Sequence, residues 1–150
     1  MAPSGGTPRR SVLRPEGGSA ATSPQPGLPD LPALAASYRS AGLCVACTST
    51  VTGRLPGSVE LTAYRVAQEA LTNVLRHSQS GDARHDVRRL GDSLRVEITD
   101  LGPPRPGTEP PGHGLAGMTE RVAACGGRLD AGPLGAGFRV AATLPLAVAA

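Results

Sequence analysis

A helical repeat of apolar side chains between residues 58 and 78 is the strongest pattern in the chain. Apolar and polar positions separate there onto two sides of a helical wheel, which predicts an amphipathic helix with Ser58 as its N-cap. The residues predicted to face the core are Leu61, Tyr64, Ala67, Ala70, Leu71, Val74 and Leu75. The residues predicted to face away from it are Thr62, Arg65, Glu69, Asn73, Arg76 and His77, with Val66 as the one apolar exception.

Shorter patterns predict the remaining elements. They indicate a helix over 32–40, a strand over 43–51, strands over 84–90 and 94–99 joined as a hairpin, a helix over 115–125, and strands over 128–131 and 138–144 around a loop. This order predicts an α+β fold, a two-layer α/β sandwich in which helices cover one face of a mixed, mostly antiparallel sheet.

Composition divides the 150 residues into a tail and one domain. Residues 1–30 are rich in glycine and proline and bury too little apolar surface to order themselves, so we expect a flexible tail before a domain over 31–147. No apolar run approaches the length of a membrane span, and we expect no membrane contact. Three aromatic residues offer few stacking platforms for nucleic acid, and three cysteines favour buried thiols in a reducing cytoplasm over a metal site.

The chain contains no lysine, since all 15 basic residues are arginine. A Walker A loop needs a lysine that reaches phosphate, a protein kinase fold needs its strand lysine, and Schiff-base enzymes need an amine. The composition therefore excludes these three classes. It also leaves a single asparagine, Asn73, in the middle of the predicted helix.

The polar side of that helix carries a candidate site. Glu69 and Asn73 are four residues apart, and Arg76 and His77 follow one turn later, so all four project from one side. A carboxylate, an amide oxygen, a guanidinium and an imidazole can together hold a hydrated Mg²⁺ and the phosphates that it bridges. The plain alternative is a solvated helix face, but asparagine is a poor helix former and this is its only occurrence.

Two glycine-bearing turns follow the helix. Asp100-x-Gly102 ends a predicted strand, and Gly112-x-Gly114 opens the second predicted helix. Glycines allow the backbone to approach a ligand, and the exposed N–H groups at a helix N-terminus attract phosphate. Each turn alone is common, and only the ordered combination with the polar helix side is specific.

This combination resembles the ATP-binding catalytic domain of sensor histidine kinases, above all the NarL/DesK type, with the Bergerat (GHKL) fold shared with gyrase and MutL. The resemblance runs from about residue 26 to 146 and is carried by the stretches 63–73, AYRVAQEALTN, and 112–122, GHGLAGMTERV. It implies ATP and Mg²⁺ as ligands. It also implies that Asn73 coordinates Mg²⁺, that Glu69 orients or deprotonates the reacting group as the catalytic residue, and that Arg76 and His77 contact phosphates.

The same resemblance implies an adenine site and a phosphate-binding segment. Asp100 is expected to accept the adenine amino proton, while Gly102 leaves room for the base. The further residues expected to bind ATP are Gly112, His113, Gly114, Leu115 and Gly117. Pro104 departs from the pattern, because it occupies a position where the family usually has glycine.

The resemblance also implies partners. Kinases of this type carry a phosphoacceptor histidine on a dimerisation domain, which we expect in trans or in a longer form of the chain, and pass phosphate to a response regulator. His85-Asp86 mimics the acceptor sequence but falls on a predicted strand. Two alternatives stay open: an anti-sigma-factor-type serine kinase or partner-binding module of the same fold, and a nucleotide-binding scaffold without transferase activity.

Overall fold

The computed structural model describes residues 25–51, 53, 55–107 and 113–146. The helices in this part of the chain are α1 (Leu31–Ser40), α2 (Gly57–His77) and α3 (His113–Ala124), with a short 3-10 helix at Leu28–Asp30 before α1. The strands are β1 (Cys44–Ser49), β2 (Asp82–Leu90), β3 (Ser93–Asp100), β4 (Arg128–Leu134) and β5 (Gly137–Pro145). None of these helices is both long and apolar enough to span a membrane.

The five strands form one sheet in the order β1-β2-β3-β5-β4. β1 pairs with β2 in parallel, whereas β2 with β3, β3 with β5 and β5 with β4 pair antiparallel. Burial alternates along β3, where Leu94, Val96 and Ile98 point into the helix layer and the intervening residues do not. The predicted fold class, helices on one face of a mixed and mostly antiparallel sheet, is confirmed.

Helix α2 crosses the centre of the sheet, and its buried side differs from the predicted one. The buried residues are Val59, Thr62, Ala63, Val66, Ala67, Ala70, Leu71 and Val74. Val66, predicted on the polar side, is fully buried, whereas Leu61, Tyr64 and Leu75 are only partly buried. The prediction was wrong by about one position around the helix, because α2 packs against α1 and α3 as well as against the sheet.

The contacts on either side of α2 explain this rotation. On one side, the Tyr38 hydroxyl of α1 donates to the Gln68 carbonyl oxygen at 2.9 Å. On the other, Thr62 Oγ1 lies 3.0 Å from Cys125 Sγ, just after α3. The helix begins at Gly57, so the predicted N-cap residue lies inside its first turn. Flanking helices therefore bury positions that a two-sided wheel assigns to solvent.

The boundaries of the strands match the predicted ones to within three residues, and the largest difference is at the end of β4. Residues 132–134 were expected to form a loop because they contain Gly132 and Pro133, yet they continue the strand to Leu134. β4 lies at the edge of the sheet, where a proline need not donate a ladder hydrogen bond. Only residues 135 and 136 separate β4 from β5.

The end of the predicted tail is packed against α2. Residues 25–30 include the 3-10 helix, and the backbone N–H of Leu28 donates to Glu60 Oε1 at 2.9 Å. The N–H of Gly27 donates to Asp30 Oδ2 at 2.8 Å, which closes this short turn. Residues 1–24 lie outside the described residues, so a flexible tail there stays a prediction.

Candidate nucleotide-binding site

A cavity of about 400 Å³ opens between the C-terminal half of α2, the end of β3 and the β4–β5 turn. Its walls are mostly apolar, and a few polar side chains converge on it, which is the usual composition of a small-molecule site. The lining residues are Ala70, Asn73, Val74 and His77 of α2, Ile98, Asp100, Gly102 and Pro104 at and after the end of β3, and Pro133, Gly135, Ala136, Gly137, Phe138 and Val140 of β4, β5 and their turn.

Asp100, the last residue of β3, is a nearly buried carboxylate with defined partners. Its Oδ1 accepts hydrogen bonds from the Ser78 hydroxyl at 2.7 Å and from the Gly102 N–H at 3.1 Å. A Cβ at Gly102 would collide with the side chain of Ser80, so the turn after Asp100 requires glycine. The turn therefore fixes the carboxylate at the cavity wall.

Asn73 and His77 face the same cavity from successive turns of α2. Asn73 Nδ2 and His77 Nδ1 are buried and have no hydrogen-bond partner within the described part of the chain. A buried polar atom without a partner costs about 1–3 kcal/mol, which a ligand that pairs with it recovers. The two orphaned atoms are therefore unused hydrogen-bonding groups beside the cavity.

Glu69 and Gly114 meet beside Asn73, just outside the lining of the cavity. A Cβ at Gly114 would lie 2.5 Å from Glu69 Oε2 and 3.4 Å from Asn73 Nδ2. The first turn of α3 therefore rests directly on the acidic and amide side chains of α2, and any side chain at residue 114 would displace the Glu69 carboxylate. The N-terminal end of α3 lies at the same place, and the N-terminal end of a helix favours anions.

The other residues expected to bind ATP fall into three groups. Leu115 packs against the hydrophobic core, and Gly117 has only Arg121 Nη1 near a hypothetical Cβ, at 3.9 Å. Arg76 is exposed and does not line the cavity. Gly112 lies outside the described residues, and His113 begins α3 with a side chain that is not described.

The proline that departs from the family pattern is accommodated by the local pairing. Pro104 forms an antiparallel bridge with Ser78 at the end of α2. The hydrogen bonds of this bridge run from Gln79 N–H to the Pro103 carbonyl oxygen, 2.9 Å, and from Arg105 N–H to the His77 carbonyl oxygen, 2.5 Å. Because none of them uses an N–H at residue 104, the proline loses no hydrogen bond there.

Sequence reasoning missed two contributors to the site. Ser78 appeared only as the end of a helix, although its hydroxyl holds the Asp100 carboxylate. The β4–β5 turn and the start of β5, which carries Phe138 as the only phenylalanine of the chain, form a whole wall. The pairing of Phe138 with Asp100 across β5 and β3 brings this wall to the site. A serine three residues before Gly81 and the single phenylalanine of the chain were the available signals.

His85 and Asp86 lie inside β2, as the strand prediction required. The His85 side chain is fully buried, and its Nδ1 lies 3.3 Å from Cys47 Sγ. Burial lowers the pKa of His85 to about 4, against a weaker opposing effect of Asp86. An imidazole in this position is inaccessible to a phosphate donor, so it does not act as the acceptor.

Comparison with known proteins identifies the family. The profile of the histidine kinase-, DNA gyrase B- and HSP90-like ATPases matches residues 58–148. The chain belongs to this family. The matched segment contains both α2 and the two glycine-bearing turns, so the ATP-binding domain of the family is the domain described here.

Two curated relatives and a solved structure are similar to the chain. The sensor histidine kinase YxjM of Bacillus subtilis is 38% identical over 92 residues, which cover 61% of this chain and 22% of YxjM. The signal transduction histidine-protein kinase/phosphatase UhpB of Salmonella typhimurium is 36% identical over 92 residues, 61% of this chain and 18% of UhpB. The chain thus spans about a fifth of the length of these relatives.

The solved structure is the histidine kinase domain of the blue-light activated histidine kinase of Erythrobacter litoralis EL346. It superposes with a TM-score of 0.61 at 22% identity, and the match covers 77% of this chain and 63% of that one. At this identity the likeness supports the fold, with the same arrangement of helices on a mixed sheet.

Proposed function

We propose that this domain binds Mg-ATP and donates the γ-phosphate to a histidine on a dimerisation domain, as the catalytic part of a two-component sensor kinase. The observation that carries the proposal is the convergence of Asn73 and Asp100, 27 residues apart in sequence, on one cavity of about 400 Å³. The similarity of the chain to proteins named as histidine kinases, YxjM and UhpB, supports the choice of acceptor.

The adenine ring fits the apolar half of the cavity. Ile98, Phe138 and Val140 supply walls that suit a flat heterocycle, and the Asp100 carboxylate supplies an acceptor for its amino group. Gly102 lines the same edge of the cavity. We assign adenine recognition to these residues.

The phosphate end is assigned to the region where α2 meets α3. Glu69 and Asn73 offer the oxygen ligands that Mg²⁺ prefers, and the orphaned amide nitrogen of Asn73 and the cradle at Gly114 are consistent with a bound metal–phosphate group. When bound, Mg²⁺ would neutralise charge on the phosphates. Glu69 would orient or deprotonate the acceptor group, His77 would contact phosphate from the cavity side, and Arg76 would contact phosphates that extend outside it.

The proposal names two partners, a histidine-bearing dimerisation domain and a response regulator. The test is phosphotransfer from γ-labelled ATP to a purified dimerisation domain of a sensor kinase supplied in trans. We expect acid-labile label on the acceptor histidine, in a reaction that requires Mg²⁺. Bound ATP without labelled histidine would reject the kinase role. Label on serine of an added partner would instead favour the serine-kinase reading.

A further inference from the structure

Ser78 connects the end of α2 to the adenine-recognising carboxylate. It is the residue directly after the helix, is 2% exposed, and donates a hydrogen bond from its own N–H to the Val74 carbonyl oxygen at 2.9 Å. Arg105 Nη2 donates to its carbonyl oxygen at 3.4 Å. The backbone of Ser78 is therefore held on both sides, and its side chain has little freedom to turn away from Asp100.

The hydrogen-bond pattern defines the direction of the Ser78 hydroxyl. Its Oγ accepts the Gly81 N–H at 3.1 Å and lies 2.7 Å from Asp100 Oδ1, which has no proton to give as a carboxylate. The hydroxyl proton therefore points at Asp100. The chain of donors runs from Gly81 through Ser78 to the carboxylate.

Both donors to Asp100 act on the same oxygen. Ser78 and the Gly102 N–H converge on Oδ1, while no donor in the described segments reaches Oδ2. Two hydrogen bonds from different directions fix the rotation of the carboxylate and leave one acceptor oxygen for a ligand. An oriented acceptor of this kind distinguishes ligands that carry a hydrogen-bond donor at this position from ligands that lack one.

We infer that Ser78 is a positioning residue that sets the preference of the site for a purine with an exocyclic amino group. The inference rests on the proposed function. In the absence of the hydroxyl, Asp100 would retain a single hydrogen bond on Oδ1 and could rotate away from the amino group. Binding affinity would then decrease for ligands that carry the exocyclic amino group, but not for ligands that lack it.

The experiment compares two nucleotides that differ only in that group. Titration calorimetry measures the binding of ATP and of purine riboside triphosphate, which has hydrogen in place of the amino group, to the unchanged protein and to Ser78→Ala. We expect Ser78→Ala to weaken ATP about tenfold and purine riboside triphosphate less than twofold, since a hydrogen bond to a charged group contributes roughly this much.

Two further variants make the result specific. Ser80→Ala removes a neighbouring hydroxyl that accepts the Asp82 N–H at 3.2 Å and lies 3.4 Å from Ser78 Oγ without touching Asp100. Because the Ser78 proton points at Asp100, we expect both affinities to change less than about twofold. Ser78→Cys replaces the hydroxyl with a weak donor of similar size. We expect Ser78→Cys to reduce the ratio of the affinity for ATP to the affinity for purine riboside triphosphate. If Ser78→Ala does not fold, this ratio is measured in Ser78→Cys instead.

The outcomes separate this inference from the function on which it rests. Equal losses for the two nucleotides, or an unchanged ratio in both Ser78 variants, would overturn the positioning role while nucleotide binding by the unchanged protein still stands. Failure of the unchanged protein to bind either nucleotide would overturn the proposed function and the inference together.

Discussion

Replacement of Gly114 by alanine tests the contact between α3 and the acidic end of the site. The new Cβ would lie 2.5 Å from Glu69 Oε2, where ordinary contact begins at 3.4 Å, so the carboxylate must withdraw by about 0.9 Å. Asn73 Nδ2, at 3.4 Å, is only brought into contact. The perturbation is therefore directed at Glu69.

The expected consequence is a loss of rate without a loss of stability. Glu69 ends in a flexible side chain that can move, and alanine is a better helix residue than glycine by about 0.5–1 kcal/mol. A misplacement of about 1 Å in a catalytic group costs on the order of 100-fold in rate. We therefore expect phosphotransfer to fall about 100-fold in Gly114→Ala, while the free energy of unfolding stays equal or rises.

The assay measures single-turnover transfer of γ-phosphate to a dimerisation domain and urea unfolding of the same preparation. Gly57→Ala is the matched control, because it adds the same methyl group at the exposed first residue of α2 with no atom within 4 Å. A wild-type transfer rate in Gly114→Ala would refute the role of Glu69 at this contact. An equal loss in Gly57→Ala would show that the rate responds to any added methyl group.

Three further perturbations have defined outcomes. Asn73→Ala should abolish Mg²⁺-dependent ATP binding in calorimetry and leave the melting temperature equal or raised, because the side chain faces the cavity and its amide nitrogen has no partner in the described part of the chain; normal binding would contradict the metal assignment. Gly137→Ala should destabilise the domain by about 1–3 kcal/mol in urea, because its Cβ would collide with the Asp100 carbonyl oxygen. The pKa of the buried His85 is lowered from 6.5 to about 4, so the unfolded chain takes up the proton first as the pH falls. The free energy of unfolding should therefore fall by about 3 kcal/mol between pH 7 and pH 4. His85→Leu should reduce this dependence of stability on pH, and an equal dependence in the variant would contradict the lowered pKa of His85.

The meeting of Asn73 and Asp100 follows from local connections that the sequence indicates. Helix α2 ends at His77, and β2 begins only five residues later at Asp82. The β2–β3 hairpin then returns the end of β3 to the start of β2, where Ala83 pairs with Asp100. A helix end and a strand end that are distant in sequence are thus adjacent because the segments between them are short.

The buried side of α2 was less accessible to prediction, because it depends on neighbours that periodicity does not report. A helical wheel separates apolar from polar residues, and it placed Val66 with the polar ones. The flanking α1 and α3 bury this part of the circumference in addition to the sheet. A helical wheel therefore predicts well that a helix is amphipathic. It predicts less well which residues lie at the centre of the side that faces the core.

The wall formed by the β4–β5 turn depends on the pairing of β3 with β5, about 40 residues apart, which no local pattern reveals. Gly132 to Gly137 indicated a loop because glycine disfavours strands. The structure requires glycine at 137 for another reason: the backbone of β5 approaches the Asp100 carbonyl oxygen too closely for a Cβ. The glycine that weakened the strand prediction is thus what allows Phe138 to reach its place beside Asp100. The glycines that indicated irregular structure here reflect close backbone packing beside the proposed adenine site.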